Sequence, residues 1–157
     1  MLGLRTLLGA VLFALPAAAQ LPVEIHRNQV ELLPSTEPTL AANKKRVYDF
    51  WREVLQAHHV ERAPEYLAES YVQHNPNVPT GRAAFMEFVG RLPRQPVKAT
   101  VDELVSIVAE RDLVILAFRR ELPDLENEGQ TYTTTWFDMF RIDGGTIVEH
   151  WDYGTRD

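Results

Sequence analysis

The chain has 157 residues, 45% of them hydrophobic, 24% charged and 10% aromatic. That composition excludes a disordered tail or a collagen-like fibre, and the length has room for one ordinary domain. The formal net charge is −6 and no stretch carries the basic excess that a phosphate backbone demands, so nucleic acid is not expected as a partner. There is no cysteine, which excludes disulfides, zinc–thiolate sites, cysteine nucleophiles and a lipid-modified N-terminal cysteine.

Residues 1–19 carry one positive charge, Arg5, then an apolar run from Leu7 to Leu15, a break at Pro16 and the small residues Ala17-Ala18-Ala19. This is the pattern of a secretory signal peptide cleaved after Ala19, and it predicts a periplasmic or secreted protein. The apolar run is shorter than the ~20 residues that span a bilayer, so no membrane partner is expected once the leader is removed. Residues 20–39 hold Pro22, Pro34 and Pro38 and read as an extended lead-in on the surface. The domain proper is expected over 40–157.

Over 40–59, Val47, Phe50, Trp51, Val54, Leu55 and His58 follow the spacing of one helix face. A shorter helix is predicted at 61–69 with Pro64 in its first turn. Residues 70–75 read as a short strand closed by Pro76 and Pro79. Thr80 is placed to cap a third helix, on which Ala84, Phe85, Phe88, Val89 and Leu92 share a face. From residue 97 the period becomes that of strands, at 97–109 and 113–122 with a turn at Glu110-Arg111-Asp112. Residues 131–143 and 146–153 form a hairpin turning at Gly144-Gly145. Helices followed by a meander of antiparallel strands predict an α+β domain with the helices on one face of a curved sheet.

Alternation along the last strand puts Val148, His150 and Asp152 on one face and Ile147, Glu149, Trp151 and Tyr153 on the other. With Gly144-Gly145 as the turn, Asp143 opposes Thr146, Met139 opposes His150 and Phe137 opposes Asp152. One face would then join an aromatic ring, a thioether, an imidazole and a carboxylate. A carboxylate among apolar neighbours has its pKa raised, which suits a general acid or base; the same residues also fit the solvent side of a hairpin. Asp138 shares its face with Trp136, Phe140, Ile142 and Trp151, and reads either as a buried catalytic group or as a structural acceptor. A slip of one residue at the turn would exchange the two faces.

Tyr71-Val72-Gln73-His74-Asn75-Pro76 places three consecutive polar side chains at a strand end, where ligand groups are common and where turn residues also satisfy backbone groups. His58 is expected to pack in the core, and His59 and His26 to be solvated. A metal needs at least three converging ligands; His74, His150 and Asp152 could supply them, but no H-x-x-x-H or comparable spacing supports one, so no metal is expected. Neither a G-x-S-x-G elbow nor a phosphate or dinucleotide loop is present.

The Y-V-Q-H-N-P strand end and the closing F-D-M-F-R-I-D-G-G-T-I-V-E-H-W-D hairpin resemble the SnoaL-like polyketide cyclase family, over about residues 40–153. The branch most similar is that described as predicted SnoaL-like aldol-condensation enzymes, within the superfamily resembling nuclear transport factor two. The resemblance implies a cone-shaped α+β fold, a curved antiparallel sheet wrapped by helices around a pocket, and often a homodimer formed through the sheet. It implies chemistry without metal or cofactor. In the cyclases a late aspartate is the general acid/base on an enolisable ketone, and in limonene epoxide hydrolase a catalytic Asp at the end of the last strand matches Asp152. The cyclase aspartate itself falls near Gly154, where this chain has no acid.

On that resemblance the expected function is a cofactor-independent acid/base enzyme on a small, apolar or aromatic carbonyl compound, of aldol, cyclase or isomerase type. Asp152 and His74 would be catalytic, with His150, Asn75, Trp136, Phe137, Met139 and Tyr71 around the substrate. The alternatives are a periplasmic module of the same fold that binds a small molecule without chemistry, and an interaction domain using the exposed sheet.

Overall fold

The computed structural model describes residues 20–156. The signal peptide expected at 1–19 lies outside the described residues. Helix α1, Pro38–Phe50, starts with proline in its first turn, where the missing N–H is no loss, and continues as π-helical turns over Trp51–Gln56. The wider turns re-aim Trp51 onto Phe118, their rings 4.4 Å apart. Helix α2 is the single turn Ala63–Tyr66. Strand β1, Leu67–Gln73, takes over where the helix was expected to run on to 69, because Leu67, Tyr71 and Gln73 face inward beside the last strand.

Helix α3, Arg82–Val89, starts without a side-chain cap. Thr80 does not cap it; its hydroxyl is held by the backbone of Gln73, and Gly81 enters the helix at φ 95°. Strand β2 is Leu104–Glu110, later than the predicted start at 97. Strands β3, Leu113–Pro123, β4, Thr131–Asp143, and β5, Thr146–Asp152, follow as predicted within a residue.

The sheet order is β1-β5-β4-β3-β2. Four strands form the antiparallel meander, but β1 pairs with β5 in parallel, so the sheet is mixed rather than wholly antiparallel. This crossover brings residues 67–75 beside 147–152. The helices cover one face, and the space between is filled by Phe50, Phe85 and Phe140 with Trp51 and Phe118 closing over them. Each fully buried phenylalanine contributes ~1.5–3 kcal/mol by leaving water.

Two further expectations change. The lead-in, expected to lie extended on the surface, contains the 3-10 turn Gln29–Leu32 and is docked there: Gln29 is buried, with its amide oxygen accepting from the N–H of Val101 and from the Tyr48 hydroxyl. His58 is not in the core; it ends the first helix in the left-handed region at φ 59°, with Nδ1 2.7 Å from the Pro93 carbonyl.

Candidate functional site

The decisive local feature is a bulge in β5. Asp143 faces Thr146 and Ile142 faces Ile147, as the Gly144-Gly145 turn requires. Both glycines have positive φ, which the right-handed strand twist favours in a two-residue turn. Arg141 then faces Glu149, so Val148 is an extra residue. From there the register is displaced by one: Phe140 faces His150, Met139 faces Trp151 and Asp138 faces Asp152. The expected pairs Met139–His150 and Phe137–Asp152 are therefore not formed. The physical reason is burial. Without the bulge Glu149 would face Phe140 in the core; with it, Glu149 lies outside and bonds the Arg141 guanidinium.

The bulge puts Asp138, Phe140, His150 and Asp152 on the helix-covered face. Asp138 and His150 are 3% and 5% exposed. His150 Nε2 lies 2.9 Å from Asp138 Oδ1, and the Trp136 indole N–H donates to Asp138 Oδ2 at 2.8 Å. The His150 ring stacks on Phe140 at 4.4 Å. Burial raises the Asp138 carboxyl above its ordinary range, the neighbouring Asp152 charge adds to this, and the bonds from His150 and Trp136 oppose it. Burial likewise pushes the Tyr71 hydroxyl well up, with the Asp152 and Asp138 charges acting in the same direction.

Asp152 is half-buried at the rim of this cluster. Its Oδ2 accepts from the Asn75 amide at 2.8 Å, while its Oδ1 is buried with no hydrogen-bond partner among the described residues. Asn75 is packed against Gly154 so closely that a Cβ there would stand 2.6 Å from the Asn75 side chain. Asp138, His150 and Asp152 each offer a donor atom, and these atoms all lie within 4.8 Å of one another. Beside them opens a recess of about 320 Å³ lined by Arg120, Leu122, Thr134, Thr135, Trp136, Phe137 and Tyr153. Trp136 belongs to both, bonding Asp138 and carrying the Arg120 guanidinium 4.6 Å above its ring.

Of the residues expected at the site, the structure brings together Asp152, His150, Asn75 and Trp136, with Tyr71 behind them in the core. Phe137 reaches the recess wall from the outer face, 56% exposed. Met139 and His74 lie on the outer face. His74 stacks on Trp151 at 5.0 Å and its Nε2 is 2.7 Å from Glu149 Oε1. It does not meet Asp152. Two residues of the cluster were not singled out for it by sequence: Asp138, left between two readings, and Gln73. Their signal was period two: Gln73 alternates with the buried Tyr71, and Asp138 with Trp136 and Phe140.

The profile of the SnoaL-like domain family matches residues 47–150. The chain belongs to this SnoaL-like family. Solved structures similar to the SnoaL-like domain include a candidate polyketide cyclase from Acidithiobacillus ferrooxidans, with 21% identity and a TM-score of 0.52, covering 76% of this chain and 89% of that one. An LEH-like epoxide hydrolase from M. tuberculosis has 15% identity and a TM-score of 0.52, over 76% and 82%. An NTF2-like protein of unknown function from Mesorhizobium loti has 21% identity and a TM-score of 0.53, over 78% and 98%. At these identities the likeness establishes the fold. No curated protein sequence matches the SnoaL-like chain.

Proposed function

We propose that the protein is a cofactor-independent acid–base catalyst acting on a small, largely apolar carbonyl compound. The observation that carries this reading is the convergence of two carboxylates and an imidazole within 4.8 Å beside an apolar recess. Asp152, the member nearest solvent with an unpartnered oxygen, takes the proton from the carbon next to the carbonyl. The C–H electrons pass to the carbonyl oxygen, giving an enolate, and Arg120 in the recess is the cationic donor suited to that oxygen. Asp138 and His150 stand behind Asp152 and hold a shared proton on the line between them. The leader pattern at 1–19 supports a periplasmic or secreted setting for this chemistry.

The reading is tested by incubating the protein with a panel of enolisable ketones in D₂O containing EDTA and following α-proton exchange by NMR. Exchange above the buffer rate, unaffected by the chelator, is the expected result. Loss of exchange in EDTA with recovery on adding a divalent metal would overturn the metal-free reading. Ligand binding without exchange would assign the protein instead as a binding module of the same fold.

A homodimer through the uncovered sheet face belongs to the same proposal. That face carries Val108 at 54% and Phe137 at 56% exposure, with Ile115, Met139 and Trp151 continuing the cross-strand row that starts at Val108. Light scattering on the protein lacking residues 1–19 is expected to give twice the chain mass at micromolar concentration; a strict monomer would sink the dimer.

A further inference from the structure

Gln73 closes the buried cluster from the side opposite Asp138. It ends β1, is 9% exposed, and faces His150 across the parallel β1–β5 pairing. Its amide orientation follows from its partners. The backbone N–H of Asn75 lies 3.0 Å from one amide atom, and an N–H only donates, so that atom is the oxygen. His150 Nδ1 lies 3.0 Å from the same oxygen. A carbonyl oxygen only accepts, so Nδ1 must carry a hydrogen. The amide nitrogen of Gln73 is left to donate to the Tyr71 hydroxyl at 3.2 Å, which holds the amide from flipping.

We propose that Gln73 is a positioning residue that locks His150 with its hydrogen on Nδ1, making Nε2 the atom that exchanges a proton with Asp138. The role of that proton in turnover rests on the acid–base reading above; the lock itself does not. With Nδ1–H fixed, an unprotonated pair would set the Nε2 lone pair against the Asp138 carboxylate at 2.9 Å. Those two acceptors repel, so the pair keeps a proton between them, as imidazolium with carboxylate or as imidazole with carboxylic acid. Free of Gln73, the imidazole would place its single hydrogen on Nε2, satisfy the Asp138 carboxylate without an added proton, and leave Nδ1 bare. Among the described residues, the polar and titratable groups set around His150 are Asp138 and Gln73, bonded to its ring, and Asp152, with a donor atom within 4.8 Å, while the Phe140 ring lies on its face and Tyr71 stands behind Gln73.

The test is the ¹⁵N spectrum of histidine-labelled full-length protein, with the His150 signals identified by their loss in His150→Gln. In the wild type, Nδ1 is expected in the protonated range throughout the folded pH interval. In Gln73→Leu the hydrogen should move to Nε2. In Gln73→Glu, whose carboxylate keeps the acceptor and adds a charge, both nitrogens should stay protonated to a pH higher by about one to three units. A wild-type His150 with bare Nδ1 would overturn the lock, as would a Gln73→Leu protein with an unchanged tautomer. Should the leucine variant fail to fold, the wild-type spectrum and the near-isosteric Gln73→Glu decide alone. These spectra need no substrate, so a correct tautomer without ketone exchange would count against the enzyme reading and leave the lock standing.

Discussion

Asp152→Asn is expected to remove α-proton exchange while leaving the protein folded. The side chain is half-buried and, among the described residues, its Oδ2 accepts only from the Asn75 amide, a bond that an asparagine oxygen also accepts. Its Oδ1 is already buried without a partner among the described residues, so an amide there exchanges one unpaired buried group for another and the protein should stay folded. The chemistry has no such substitute, because an amide cannot take the proton. A general base contributes ~10²–10⁴-fold, and a fall in rate of that size with an unchanged unfolding midpoint is the predicted outcome. Full exchange activity in the variant would remove Asp152 from the mechanism. His74→Gln is the matching control: its ring lies on the outer face against Trp151 and Glu149, so its loss should leave exchange within about twofold of wild type, far inside the span a base supplies.

Asp138→Ala is expected to cost far more in stability than in any surface property. It strips the partner from His150 Nε2 and from the Trp136 indole N–H, both held by one carboxylate that is 3% exposed. Removing one side of a buried pair costs about 3–5 kcal/mol, a large part of the ~5–15 kcal/mol that holds a domain together. Denaturant unfolding should show it as a lower midpoint with an unchanged slope. Asp138→Asn should be much milder, since its oxygen accepts from Trp136 and its NH₂ donates to Nε2. Comparing that variant with wild type also exposes the pH dependence. Burial raises the folded-state pKa of Asp138 above its unfolded value. Its carboxyl therefore contributes stability below the unfolded value, and this is lost as pH rises through the folded value. Wild type should lose stability relative to Asp138→Asn across that window; a difference independent of pH would show that Asp138 is not perturbed.

Much of the architecture was legible because it depends on local patterns. The helix face through Val47, Phe50 and Val54 is a spacing, and all three are fully buried. The Gly144-Gly145 turn is a dipeptide with few conformational options, and it forms where it was expected. Family membership was legible for the same reason, carried by the strand-end and hairpin motifs. The site was legible only in parts. Asp152, His150, Asn75 and Trp136 were named, but Met139 and Phe137 were set opposite them by a register that held only as far as Ile142–Ile147.

Composition and periodicity by themselves determined the class of the domain, its order of helices and strands, and which acids and imidazoles were available. They could not determine which of those groups meet. One extra residue at Val148 reverses the faces of everything that follows it in β5, and what selects the bulge is the global preference for His150 over Glu149 beside Phe140. The pairing of β1 with β5 joins residues 77 positions apart, Asn75 to Asp152 and Gln73 to His150. Such a pairing leaves no periodic trace, because it is decided by how the helices seat the chain against the sheet. The amino-acid order supplied the groups; burial of the apolar core decided their neighbours, and with them the charge and tautomer each can hold.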